Sequence, residues 1–488
     1  MRRALIAAAL LAGIGLRVWA MLMPQGAVDA DEAVVGLITH GILHGTIPAF
    51  FPGQGYGGTQ EELLAAPLVA AAGLETWAIR VPVLLLWLVG AVLVWRIGLR
   101  VLDPRRALVA AALFWIWPAY FVWKSTRAHG FYGSELVLGL LVLLLVLRLD
   151  ARVTRIDLVW LGLALGCGLW SSPQVATVAL PALGWLIWRR RRIVRHAPLV
   201  LAGAVVGAIP WLLGNVRNDW YSLHPGRNEG PWSAHLHNLV VATLPQALGL
   251  RLPWSFEWLG TPVAAIALYA LAALGFAQLL RRRPPRLAPV LLIVALFPVF
   301  YFISPYTWLQ SEPRYLTLVL PLFALLLAYA ATTPVRATAL LAVGLALSVG
   351  GLEELQRHHV AAFRTEGRPV PADLDPVLQT LRAHDVRYAF GSYWVSWRIT
   401  FESKLHVIGA KANYDRPVAR NGVLYPGDPL DDLGTGGSYY LEVNRQRRFA
   451  HVFVRGGTLE PRIAPLLRRA HYVRVVSGGF DVWLPRTR

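Results

Sequence analysis

Apolar runs separated by short, Arg-rich segments dominate the first 352 residues. They cover 4–23, 77–99, 107–123, 133–149, 158–170, 174–188, 197–214, 261–280, 287–303, 315–331 and 338–352. Continuous apolar runs with few charges fit membrane helices rather than the amphipathic helices of a soluble core, so the pattern predicts about eleven spans. Runs 158–170 and 174–188 are short and also fit one long helix broken at Ser171-Ser172-Pro173. The polar segment 24–76 holds two helical patterns, 31–44 and 60–72. They are joined through the turn-rich stretch Gly53-Gln54-Gly55-Tyr56-Gly57-Gly58. A second long loop, 215–260, is rich in Trp, His and Pro. Long ordered loops more often carry function than serve as connectors.

After residue 352 the periodicity changes. Helices are expected at 374–384 and 461–469. Strands are expected at 386–391, 405–408, 439–443, 451–455, 472–476 and 481–484, and 393–402 is amphipathic and aromatic. Such alternation predicts a small layered α/β domain. It contains no Gly-rich nucleotide loop. The expected fold is therefore an α-helical polytopic membrane protein, with a membrane domain over 1–352 and a C-terminal soluble α/β domain over 353–488.

Composition agrees with this reading. Charged residues make up 15% of the 488, mean hydropathy is +0.48 and there are 20 Trp, whereas a soluble domain is roughly 25% charged. The net charge of +19 could suggest nucleic acid, but the Arg residues fall at helix ends. Arg2, Arg3, Arg96, Arg100, Arg105, Arg106, Arg148, Arg152, Arg155, Arg189–Arg192, Arg281–Arg283, Arg286 and Arg336 assign to one side. The other side carries Lys124, Arg127, Arg217, Arg227, Arg251 and Arg314, and 24–76 has no Lys or Arg at all. This asymmetry is the positive-inside pattern. It requires 171–173 to be a hairpin tip. It places the N-terminus in the cytoplasm, with 24–76 and everything after Leu352 on the opposite side of the membrane. Nucleic acid is thereby set aside as a partner. Cys167 is the only cysteine, so no intrachain disulfide exists. The basic N-terminus followed by an apolar run resembles a signal peptide, but no convincing cleavage site follows and an uncleaved first helix is expected.

Asp29-Ala30-Asp31-Glu32 places three carboxylates where the chain leaves the first run. Desolvation near lipid and mutual repulsion both raise carboxylate pKa values. Asp31 is expected as a catalytic base, with Glu32 orienting the site or binding acceptor. Asp29 or Asp31 also suits a helix N-cap, and capping does not exclude catalysis. Arg314-Tyr315, at the start of a late run, reads in isolation rather more as an interfacial Arg with a belt Tyr, and otherwise as a bidentate phosphate contact. Lys124, Arg127 and His129 concentrate cations against the charge trend, for donor phosphate or for lipid headgroups. Glu135, just inside the next run, is a candidate partner for them. Glu61 and Glu62 read more readily as a solvated helix start than as acceptor ligands. Arg17, inside the first run, is expected to approach Asp29 or Asp31. His224, His235 and His237 have no acid at reliable ligand spacing. A divalent metal is therefore unsupported, and no cofactor is assigned.

These residues resemble a family. The Asp31-Glu32 pair after the first helix is followed by Gly36, His40 and Gly45, then by Tyr56-Gly57, Glu61-Glu62 and Pro67. Glu312-Pro313-Arg314-Tyr315-Leu316 with Pro321 comes at a late helix. The chain over 1–352 is similar to bacterial GT-C membrane glycosyltransferases. That branch includes the protein O-mannosyltransferases, the lipid A aminoarabinose transferase and the core galacturonosyltransferases. The resemblance implies a sugar donor carried on polyprenyl phosphate, a carboxylate at the Asp31 position as base or acceptor-orienting group, and transfer with inversion at the outer face. The acceptor is then a glycolipid, polysaccharide or protein. Asp29 is an extra carboxylate relative to the pair. A rival reading is a transporter or lipid-linked sugar flippase. Internal repeats and midplane acids would be expected there, and neither is evident.

Overall fold

The computed structural model describes residues 2–224, 232–304, 307, 309–420, 423–427 and 435–486. Arg227, used above for topology, lies outside these residues. Up to Arg357 the chain is helical: α1 Arg2–Leu22, α2 Ala30–Leu43, α3 Gln60–Ala72, α4 Thr76–Val101, α5 Pro104–Ile116, α6 Ala119–Lys124, α7 Tyr132–Ala151, α8 Arg155–Ser171, α9 Ala176–Arg189, α10 Ala197–Gly207, α11 Ile209–Arg217, α12 Trp232–Asn238, α13 Leu244–Ala247, α14 Pro262–Arg282, α15 Ala288–Ile303, α16 Leu320–Ala330 and α17 Pro334–Arg357. Each apolar run falls on helix. Among the described residues six helices have the length and apolarity to cross a membrane, or seven if α10 and α11, bent by 58°, form one span. The other runs lie on shorter helices, so the expected count of about eleven exceeds the full-length spans. The break expected at 171–173 is present: α8 ends at Ser171, and the Ser172 hydroxyl accepts from Gln174 N at 3.2 Å.

Small residues let the helices approach closely. A Cβ on Gly162 would lie 2.1 Å from Val200 O, and one on Gly166 would lie 2.1 Å from Ala204 O. Gly203 and Gly207 face them from α10. The α8–α10 crossing is thus a small-residue contact of the kind that substitutes for a hydrophobic drive in lipid.

The remainder of the chain is α/β. A hairpin of β1 Arg364–Thr365 and β2 Arg368–Pro369 precedes α18 Asp375–Ala383, β3 Tyr388–Gly391, α19 Tyr393–Glu402 and β4 Ile408–Lys411. A second hairpin, β5 Asn413–Arg420 with β6 Val423–Gly427, is followed by α20 Thr435–Asn444, β7 Ala450–Val454, α21 Glu460–Arg469, β8 Tyr472–Ser477 and β9 Phe480–Pro485. Five strands form one mixed sheet in the order β4-β3-β7-β9-β8, with β3 parallel to β4 and β7 and the other pairs antiparallel. Strand side chains alternate between faces. Ala389, Val452 and Val482 pack with α18 and α19, while Phe390, Phe453 and Trp483 pack with α20 and α21. The domain is therefore a helix–sheet–helix sandwich. Segment 439–443, expected as a strand, is helix instead. Tyr440 and Val443, three residues apart, both enter the core on one helical face, and this tertiary contact overrides the β preference of Tyr and Val. The strand expected at 405–408 begins only at Ile408, because Lys404 and Leu405 turn with φ of 55° and 67°.

Candidate active site

Asp29 begins α2 as its N-cap: its Oδ1 accepts from Glu32 N at 3.0 Å. Its Oδ2 takes Arg127 Nη2 at 2.5 Å and His129 Nε2 at 2.7 Å. Glu32, fully buried, accepts two bonds from Arg80, at 2.8 and 2.6 Å, and one from Ala128 N at 3.0 Å. It also meets Arg127 Nη2 at 2.6 Å. Both arginines donate to Gly26 O, at 2.9 and 2.7 Å. The segment from Gly26 to Glu32 is thus pinned from α4 and from the α6–α7 turn by charge-assisted bonds.

Electrostatics follow from this geometry. Burial alone would raise the Asp29 carboxyl, but His129 and Arg127 outweigh it and hold it well below the usual carboxylate range. Burial likewise opposes Arg127 and Arg80 at Glu32, and the arginines lower it. The rise expected for this acid loop is therefore reversed at two of its three members, because each has acquired cations. Asp31 differs. It is only partly buried, and among the described residues its side chain has one hydrogen-bond partner, Tyr393 Oη at 2.7 Å.

A cationic pair stands beside this loop. Lys124 Nζ lies 3.9 Å from the centre of the Tyr132 ring, and the Arg314 guanidinium carbon lies 6.0 Å from the same centre. Arg314 is also bound by Glu312, which Tyr120 Oη reaches at 3.0 Å. Burial opposes Arg314 and Lys124 at Glu312, and the cations hold its carboxyl low. Lys124 is pushed down to about 8 by burial and then by Arg314, with Glu312, Asp31 and Asp29 opposing. Its Nζ meets His129 Nδ1 at 2.7 Å. The other ring nitrogen of His129, Nε2, faces Asp29, so the imidazole bridges Lys124 and the acid loop.

The sequence-derived candidates divide into three groups. Asp29, Glu32, Arg127, His129 and Lys124 are joined by direct contacts, and Asp31 and Arg314 stand beside them in the field of Lys124. Arg127, expected on a donor phosphate, is 1% exposed and engaged by Asp29 and Glu32, so its observed partners are the loop acids. Tyr315 is buried with its ring 6.3 Å from Tyr301. Arg17 does not reach the acids: it donates to Gly13 O and Trp115 O, both at 2.9 Å, and stacks 3.6 Å over Trp115. The aromatic ring supplies what a counter-ion would have supplied.

Glu61, Glu62 and Glu135 form a separate buried acidic group, which corrects the solvated-face reading of the first two. Glu61 Oε1 accepts from Gly133 N at 2.7 Å and Ser134 N at 3.0 Å, at the amino end of α7, where the helix dipole favours an anion. Glu135 lies in the field of Glu61 and Lys124 and makes no salt bridge to Lys124, Arg127 or His129 among the described contacts. Burial raises Glu61 to about 7, and burial with Glu61 raises Glu62 to about 8. Glu62 is protonated in the fold and ionised in the unfolded chain between its ordinary value and about 8, so stability falls as pH rises through that window. Glu62→Gln should match the parent near pH 5 and unfold at a higher temperature near pH 8, measured by thermal melting in detergent.

The residues missed in the sequence are Arg80, Glu312 as the anchor of Arg314, and Tyr393. Arg80 had a readable signal, since an ionisable residue inside an apolar run asks for a partner. Tyr393 had none, because its partner is 362 positions away. His235 bonds Thr307 at 3.1 Å, and among the described residues no three His, Cys, Asp or Glu side chains are grouped as metal ligands.

The family model described as dolichyl-phosphate-mannose-protein mannosyltransferase matches residues 63–213, a stretch that starts after the acid loop. Sequence comparison with curated proteins finds no match. Among solved structures, ArnT from Cupriavidus metallidurans in the apo state superposes with a TM-score of 0.66 at 13% identity, over 99% of this chain and 98% of that one. ArnT from the same organism bound to undecaprenyl phosphate superposes with a TM-score of 0.63 at 14% identity, over 99% of each chain. The chain is a multi-pass membrane protein that shares the fold of ArnT over nearly its whole length, with a stretch similar to the mannosyltransferase model and a C-terminal sheet domain.

Proposed function

We propose that this protein is an inverting glycosyltransferase that moves a sugar from polyprenyl phosphate to a hydroxyl of an envelope glycolipid, polysaccharide or protein. The reaction takes place at the outer face of the bacterial inner membrane. On this reading residues 1–352 form the catalytic membrane domain and 353–488 a domain outside the membrane. The observation that carries the reading is the division of labour in the acid loop. Asp29 and Glu32 are bound by cations, whereas Asp31 makes no ion pair among the described residues, and Lys124 and Arg314 meet one aromatic ring nearby.

Chemically, Asp31 takes the acceptor hydroxyl proton as that oxygen bonds to the anomeric carbon. The bond from that carbon to the phosphate oxygen breaks on the opposite face, and polyprenyl phosphate leaves with the electron pair. Arg314, whose side chain is 20% exposed and braced by Glu312, meets the phosphate directly. Lys124, buried behind it, adds its field as negative charge grows on the leaving group. The likeness to an ArnT structure bound to undecaprenyl phosphate supports the choice of carrier.

The test is acceptor-dependent release of polyprenyl phosphate from a synthetic polyprenyl-phosphate sugar by the purified protein. Its absence with every class of envelope acceptor overturns the reading. A pH dependence is expected as well. Lys124 loses its proton as pH rises through about 8, so kcat should fall above that value, and Lys124→Met should show a lowered kcat without that dependence.

A further inference from the structure

The C-terminal domain touches the acid loop at one point that bears on the chemistry. Tyr393 Oη donates to Asp31 Oδ1 at 2.7 Å. Tyr393 is the first residue of α19, and α19 is seated directly on α2. Phe401 lies against Gly36, where an added Cβ would come within 2.2 Å of the ring. The seat is reinforced around its edge. Lys404 pairs with Glu75, and Gln25 Nε2 donates to Leu355 O and Val360 O at 2.9 and 2.8 Å. The rings of Trp394 and Trp397 stand edge-on to Tyr393 at 5.3 and 6.4 Å. The direction of the phenol is therefore set by packing. Burial and the Asp31 charge hold its proton far above the ordinary tyrosine range, so it remains a donor.

We propose that Tyr393 is a positioning residue for Asp31, so that the acceptor side of the site is complete only when the C-terminal domain is docked. The proposal rests on Asp31 being the base. With Oδ1 fixed by the phenol, Oδ2 is the oxygen that takes the acceptor proton, while Tyr393 keeps its own proton throughout. A cavity of about 180 Å³ borders the same seam, with Asp29 and Val28 on one wall and Phe363, Trp394 and Arg398 on the other.

The experiment uses the full-length protein with polyprenyl-phosphate sugar and acceptor. Tyr393→Phe keeps the ring and removes the hydroxyl. Loss of one hydrogen bond to a charged group predicts a fall in kcat of about 10–100-fold, with donor KM and the melting temperature unchanged. Gly36→Val displaces Phe401 and should lower kcat by moving Tyr393 away. The double variant should then lose little more than either single one, since both act through the same contact. Parent-like kcat in Tyr393→Phe overturns the proposal. So does a raised kcat, which would make the phenol a blocker of the acceptor position, and so does a loss matched by a lowered melting temperature. Asp31→Asn in the same assay separates the two levels. If it is inactive while Tyr393→Phe is normal, only this inference fails; if Asp31→Asn transfers normally, the assignment of the base fails first.

Discussion

Asp31→Asn is expected to lower kcat by about 10²–10⁴-fold, the range for a positioned general base, while insertion and thermal stability stay at the parent level. The stability half of this expectation comes from the surroundings. Asp31 is partly exposed and makes no salt bridge among the described residues, so the amide leaves no buried cation without a partner. The amide can still accept from Tyr393, but it cannot take a proton from an acceptor hydroxyl. Asp29→Asn and Glu32→Gln are the informative contrasts. Each removes a carboxylate that is bound to buried arginines, so each should reduce stability along with activity. Measuring initial transfer rates and melting temperatures together separates the two classes. An Asp31→Asn variant with parent rates would mean that the base lies elsewhere.

Arg127→Met is expected to destabilise the protein by about 3–5 kcal/mol, the cost of breaking a buried ion pair from one side. The methionine fills much of the volume, but Asp29 loses Arg127 and Glu32 keeps only Arg80. Loop segment Gly26–Ala27 loses two more bonds, from Nη1 at 2.7 Å and from Nη2 at 2.5 Å. The pH dependence has a definite sign. Asp29 and Glu32 are held below their ordinary values. The stability they contribute is present above the ordinary carboxylate range and is lost as pH falls through their folded values. The gap between parent and variant should therefore narrow toward acid pH. Arg314→Met should lose donor turnover, and because it leaves buried Glu312 without its ion-pair partner it should cost stability as well. Thermal melts in detergent between pH 4 and 8 check both, and an Arg127→Met melt equal to the parent would contradict the buried network.

Sequence alone was sufficient wherever the signal was local. The helices of the long polar loop emerged almost to the residue, 31–44 as Ala30–Leu43 and 60–72 as Gln60–Ala72, because caps, turns and 3.6-residue periodicity are short-range properties. The helical placement of the apolar runs and the alternating strands of the C-terminal domain were readable for the same reason. Tertiary structure decided what each charge faces. Three adjacent carboxylates look equivalent in a chain. Only the return of Arg80, Arg127 and His129 to Asp29 and Glu32, and of Tyr393 to Asp31, makes them different. Glu61 and Glu62 likewise changed from a solvated face to a buried pair when the amino end of α7 closed over them. Charge pairing and burial depend on residues tens to hundreds of positions apart. Local pattern therefore determined where the acids sit along the chain, and packing determined which one is available for chemistry.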